Sequence, residues 1–130
     1  MSGDASQATV YELVGGRAFF ERLVAAFYRG VATDPLLRPM YPGDDLGPAQ
    51  ERLRLFLEQY WGGPATYSEQ RGHPRLRMRH FPFPVDSAAS DRWLVHMRAA
   101  LDEQGLPAEL DAVFWKYFSS SAPAMINTPG

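Results

Sequence analysis

The sequence has no cysteine. That absence excludes disulfide scaffolds, zinc ribbons, iron–sulfur clusters and thiol chemistry together. Long hydrophobic runs are also missing. No apolar stretch approaches the ~18 residues that read as a membrane span. The opening segment, Met1-Ser2-Gly3-Asp4-Ala5-Ser6-Gln7-Ala8, has neither a basic region nor an apolar one. No signal peptide is expected, and the cytoplasm is the expected compartment. Neither sign of charge dominates: 13 Lys and Arg stand against 15 Asp and Glu, interspersed, for a net charge of -2. This balance offers no case for nucleic acid or an anionic membrane as partner. No segment shows convincing strand alternation, and no internal repeat is visible.

What is present is one chain of 130 residues, enough for a single domain with a real core. Residues 1–9 read as a flexible N-terminal extension and residues 10–130 as one domain. Aromatic residues make up 13% of the chain, as three Trp, six Tyr and eight Phe. They supply more large flat surface than a small core ordinarily needs, and a flat aromatic ligand would use it.

Punctuation and periodicity predict an all-α fold. Thr9 and Glu12 have the spacing of a capping box, opening a short helix that stops at Gly15-Gly16. Phe20, Leu23, Val24, Phe27, Tyr28 and Val31 then form one continuous apolar stripe, ended by Asp34-Pro35. Pro35, Pro39 and Pro42 leave room for a single helical turn. Gly47-Pro48 starts the next helix, with Ala49, Leu53, Phe56, Leu57 and Tyr60 as its apolar face and Gly62-Gly63-Pro64 as its end. From Ala65 to Pro84 the chain reads as irregular, with one helical turn allowed between Pro74 and His80.

Asp86 or Ser87 caps a further helix, with Trp93, Leu94, Met97, Ala100 and Leu101 inward and Gly105 at its close. Pro107 opens the last helix, whose expected interior residues are Leu110, Val113, Phe114, Tyr117, Phe118 and Ser121. Pro123 falls inside this pattern and is expected to kink or shorten it.

There are three histidines, His73, His80 and His96. A single histidine is more often a surface or satisfied core residue than a ligand. Zinc needs three or four clustered ligands, and no such spacing appears. Haem iron needs less, because the porphyrin supplies four nitrogens and one neutral imidazole completes the site. His80 suits that task best, at the end of Arg75-Leu76-Arg77-Met78-Arg79-His80-Phe81-Pro82, a turn stopped by proline. Arg71, Arg75, Arg77 and Arg79 cluster beside it. On residue type alone they fit a solvated turn, a nucleic-acid patch or guanidinium contacts to haem propionates, and the three readings stay open.

Met40-Tyr41-Pro42, Arg52-Leu53-Arg54-Leu55-Phe56-Leu57-Glu58-Gln59-Tyr60-Trp61-Gly62-Gly63-Pro64, Tyr67-Ser68-Glu69 and Arg71-Gly72-His73-Pro74-Arg75-Leu76-Arg77-Met78-Arg79-His80 closely resemble the group II truncated haemoglobins of bacteria. The resemblance runs from about Val10 to Pro129 and includes both glycine pairs. It implies a two-over-two helical sandwich around haem b, with the proximal helix largely replaced by a loop. It implies His80 as the iron ligand, and Tyr28, Tyr41 and Trp93 as the distal residues. Ala49 stands where many other globins have a distal histidine, with Leu53 and Phe56 on the same wall. Arg52, Tyr67 and Arg79 resemble propionate contacts, and Phe27, Met78 and Met97 resemble apolar haem neighbours. On periodicity alone, Tyr28, Trp93, Leu53, Phe56 and Met97 read equally well as plain core. Only Tyr41, set among prolines, does not. His73 and His96 are read as structural.

The resemblance implies a protein that binds dioxygen, carbon monoxide or nitric oxide, with hydroxyl and indole donors slowing ligand escape. An alternative is a haem enzyme with peroxidase or nitric oxide dioxygenase activity. That would need an unidentified external reductase, since the chain has no flavin or nicotinamide domain. A homodimer is one option for assembly. A haem-free helical interaction module using the arginine cluster is the remaining alternative.

Overall fold

The structure, a computed structural model, describes residues 8–41, 43–71 and 86–125. Among them are six α-helices and one 3-10 turn, and no strand. The helices are α1 (Val10–Leu13), α2 (Arg17–Ala32), α3 (Gly47–Tyr60), α4 (Thr66–Arg71), α5 (Ser87–Gln104) and α6 (Ala108–Ala124). The 3-10 turn, Arg38–Met40, lies between α2 and α3. Packing joins α2 to α3 and α5 to α6, and the two pairs meet where α2 lies on α5.

Helix α2 carries the expected stripe inward. Phe20, Leu23, Val24, Phe27, Tyr28 and Val31 are all buried, joined by Phe19 and Ala26. Phe19 and Phe20 reach Phe114 of α6, with ring centroids 5.4 and 6.1 Å away. Phe19, Phe20, Phe27, Phe114 and Phe118 are each at most 1% exposed. Burial of each contributes about 1.5–3 kcal/mol from solvent exclusion alone.

Helix α1 has four residues, too few to stand without support. The capping box forms: Thr9 Oγ1 accepts the Glu12 N–H at 3.2 Å, and Glu12 Oε1 accepts the Thr9 N–H at 2.9 Å. The Tyr11 N–H then donates to the Trp61 carbonyl at 2.9 Å. Its seat depends on the glycine pair after α3. Gly62 sits at φ 97°, and a Cβ there would stand 2.7 Å from the Thr9 Cβ. A Cβ on Gly63 would stand 2.7 Å from the Tyr11 ring. Both the turn and the close approach need glycine.

Three expectations are corrected. The stretch from Ala65 was read as irregular, yet Thr66–Arg71 is helical. The Gln59 side chain of α3 accepts the Ser68 N–H at 2.9 Å and donates to Ser68 Oγ at 2.7 Å. Tyr67 is buried, its ring 5.5 Å from that of Phe56. Contacts from another helix therefore supply what the local sequence does not. Tyr60, expected inward, is 52% exposed and lays its ring against Tyr117, 4.3 Å away. Val113, also expected inward, is 43% exposed. It lies one helical step off the stripe that buries Phe114 and Phe118. Pro123 lies in the last turn of α6, which ends at Ala124 with its cap at Met125. The Ser120 and Ser121 hydroxyls donate back to the Lys116 and Tyr117 carbonyls, each at 2.7 Å.

No described helix is long and apolar enough to cross a membrane.

Candidate functional site

Three segments bring Tyr28, Tyr41 and Trp93 together. Tyr28 comes from the buried stripe of α2, Tyr41 from the end of the 3-10 turn, and Trp93 from α5. The Tyr28 and Tyr41 rings meet edge to face with centroids 5.6 Å apart. Phe27 lies against both neighbours, 5.0 Å from Tyr28 and 4.8 Å from Trp93. Tyr28 is buried, whereas Tyr41 and Trp93 are half-buried and pack on the core from its edge.

Electrostatics favours the protonated form of both phenols. Burial raises the Tyr28 phenol well above its ordinary value, and the neighbouring Tyr41 raises it further. Burial also raises Tyr41, with Tyr28, Trp93 and the charge of Arg52 opposing it. The indole nitrogen can act only as a donor, whereas each phenol can donate and accept. The Tyr28 hydroxyl also stands 3.5 Å from the Ala49 carbonyl, a long contact that brings α3 to the same point.

The remaining expected site residues divide clearly. Leu53 and Ala49 are half-buried on α3, and Phe56 is buried one turn further on. Tyr67 is buried against Phe56, and Met97 is fully buried one turn after Trp93. Arg52 is exposed, and its charge lowers both tyrosine pKa values. Met78, Arg79 and His80 lie outside the described residues, as do His73, Arg75 and Arg77.

Sequence reasoning missed the polar cluster beside this site. Asp34 was read only as a helix breaker and His96 as structural, with no partner named for either. The Asp34 side chain is 1% exposed, and its Oδ2 is 2.6 Å from His96 Nε2 and 2.9 Å from Arg92 Nε. Its Oδ1 accepts the Leu36 N–H at 2.8 Å and the Leu37 N–H at 3.3 Å. The His96 hydrogen bond holds the Asp34 carboxyl well below its ordinary range against the opposing cost of burial, with Leu36, Arg92 and Leu37 assisting. A second buried pair joins Arg54 to Glu58 within α3 at 2.8 Å. Only the i, i+4 spacing of Arg54 and Glu58 hinted at it.

The helix pairs and the buried phenol–indole cluster define a globin. The chain belongs to the bacterial-like globin family, which it matches over residues 9–127, and within it to the group II truncated haemoglobins. It is 40% identical to the group 2 truncated haemoglobin YjbI of Bacillus subtilis over 117 residues, 90% of this chain and 87% of that one. A thermostable haemoglobin from Thermobifida fusca superposes with a TM-score of 0.92 at 63% identity, covering 95% of this chain and 100% of the other. The truncated oxygen-avid haemoglobin of Bacillus subtilis superposes at 0.87 with 39% identity, covering 92% and 100%. Globin membership implies haem. The described wall fits that group chemically. It is aromatic and aliphatic on α2, α3 and α5, and its polar atoms are neutral donors with no metal-binding carboxylate among them.

Proposed function

We propose that this protein binds dioxygen or a related diatomic ligand on haem b, with His80 as the iron ligand and Tyr28, Tyr41 and Trp93 on the distal side. The observation that carries this reading is the meeting of two neutral phenols and an indole beside Phe27 and Ala49. Haem would supply an open coordination position and would draw negative charge onto the outer atom of a bound ligand.

The chain's part is to meet that charge. The two phenols and the indole supply three hydrogen-bond donors at one place. Phenols are neutral at physiological pH, and burial raises both further, so they can donate hydrogen bonds and do not repel a partly negative ligand. Several donors slow ligand escape, which favours ligand retention, sensing or scavenging over simple oxygen shuttling. The oxygen avidity named for the Bacillus subtilis relative supports the same direction. Arg52, exposed on α3, Tyr67 and Arg79 are assigned to the propionates by resemblance.

The test is an absorption spectrum of the protein reconstituted with haemin, in ferric, reduced and carbon-monoxide-bound forms. Stoichiometric uptake with a histidine-type carbonyl spectrum, lost or shifted in His80→Ala, is the expected result. Failure to take up haem overturns the reading. Uptake unchanged in His80→Ala overturns the ligand assignment.

A further inference from the structure

The Asp34 carboxylate faces two ways. One oxygen, Oδ1, gathers the Leu36 and Leu37 N–H groups at 2.8 and 3.3 Å. These residues open the segment that continues through Arg38–Met40 to Tyr41. The Arg38 N–H donates to the Asp34 carbonyl at 2.9 Å. The Arg38 guanidinium then donates to the Tyr41 carbonyl at 2.9 Å and to the Gly43 carbonyl at 2.7 Å. From Asp34 to Tyr41 the backbone is therefore held at both ends.

The other oxygen, Oδ2, takes His96 Nε2 at 2.6 Å and Arg92 Nε at 2.9 Å. Arg92 and His96 are the residue before Trp93 and the residue one turn after it, so this bond grips α5 on either side of the indole. The His96 ring needs room to reach across, and α2 provides it at Gly30. A Cβ there would stand 2.9 Å from the ring's Cγ and closer still to Nδ1. The side chain of Asp34 is 1% exposed and that of His96 14%, so water competes little for this bond.

We propose that Asp34 is a positioning residue for the distal pocket: its carboxylate ties the segment bearing Tyr41 to the helix bearing Trp93, and so sets where the indole stands relative to the Tyr41 phenol. This rests on the haem-site reading above. Asp34 touches no ligand itself. It fixes where the indole and phenol donors stand relative to one another. Without the tie, the part of α5 that bears Trp93 loses its polar anchor to the Tyr41 segment.

The experiment compares wild type, Asp34→Asn, Trp93→Phe and the double variant, each loaded with haemin. Asn keeps an oxygen for the Leu36 and Leu37 N–H groups and loses the charge that holds His96 and Arg92. Expected are normal haem uptake, oxygen dissociation changed about fivefold or more by Asp34→Asn, and a shifted stretching frequency of bound carbon monoxide. In the Trp93→Phe background, Asp34→Asn adds nothing, because coupled residues fail to add. An equal effect in both backgrounds, or none in either, overturns the proposal. Should Asp34→Asn fail to fold, His96→Gln and His96→Phe decide. Gln retains a donor at similar reach and keeps wild-type dissociation, whereas Phe reproduces the change; identical behaviour of the two overturns the proposal. The Trp93 indole N–H resonance, assigned by its loss in Trp93→Phe, is read on the protein as purified. Faster exchange of that proton in Asp34→Asn is expected, and unaltered exchange counts against the tie. Failure of the haem reading shows separately, as no haem uptake by wild type.

Discussion

Tyr28 and Tyr41 meet edge to face, ring planes 82° apart, and burial raises the pKa of both phenols. Each phenol depends on the other remaining neutral. An ionised Tyr28 would set a negative charge against its partner. The raised values keep that event far from physiological pH.

This predicts the alkaline limb of stability. Both phenols hold their protons in the fold above the ordinary value of 10.0, where the unfolded chain loses them. Stability is thus fully present below that value and falls as pH rises through the folded ones, because the unfolded state binds fewer protons. Urea midpoints from about pH 9 to about pH 11 should decline less steeply in Tyr28→Phe than in wild type. Parallel slopes would show that Tyr28 titrates normally.

Trp93→Phe removes one donor while nearly keeping the ring's volume. An indole donating to a partly negative bound ligand contributes about 1.5–3 kcal/mol, so oxygen dissociation should accelerate by about tenfold or more. Stopped-flow mixing with carbon monoxide measures it. An unchanged rate would mean that the indole serves packing alone, through Phe27 and Phe118 at 4.8 and 5.6 Å.

Arg54 and Glu58 are a different kind of pair. Their side chains are 12% and 4% exposed, so removing one leaves the other charged and poorly solvated. Glu58→Ala should destabilise the fold by about 3–5 kcal/mol, whereas Arg54→Met with Glu58→Leu should come close to wild type. Chemical denaturation of the three variants checks this. A mild effect of Glu58→Ala would show that water reaches Arg54.

Gly30 can be tested through its partner. Gly30→Ala drives a methyl group into the His96 ring and should cost about 1–3 kcal/mol. His96→Ala in the same chain should relieve most of the clash. If the double variant is no more stable than the sum of the single effects predicts, the two positions do not meet.

The parts legible in the sequence were those written locally. The stripe from Phe20 to Val31 repeats at the period of one helix face, and all of it is buried. Thr9 with Glu12, Asp86 and Gly105 cap their helices as their residue types require. The unread parts depend on distant partners. Helix α4 is completed by Gln59, which belongs to α3. Asp34 and His96 are 62 positions apart, and no periodic pattern connects a helix-breaking aspartate to a histidine on another helix. Tyr60 falls on the apolar stripe of α3 yet lies at its solvent edge, because Trp61 and not Tyr60 fills the space beside Phe114, at 4.3 Å. Tyr28, Tyr41 and Trp93 were named together only by resemblance, since they come from three separate segments. The upward shift of both phenols follows from burial and contact and not from residue type.

The glycine pair after α3 also bears on how the chain is made. Helix α1 emerges from the ribosome early, but its seat consists of Trp61, Gly62 and Gly63. Synthesis adds roughly 5–20 residues per second, so several seconds pass before that seat exists. During that interval Tyr11 has the Phe20 ring to stack on but not the Trp61 carbonyl, and four helical residues cannot hold themselves together. Helix α1 is synthesised well before α3, and it must wait for the end of that helix before it can be housed.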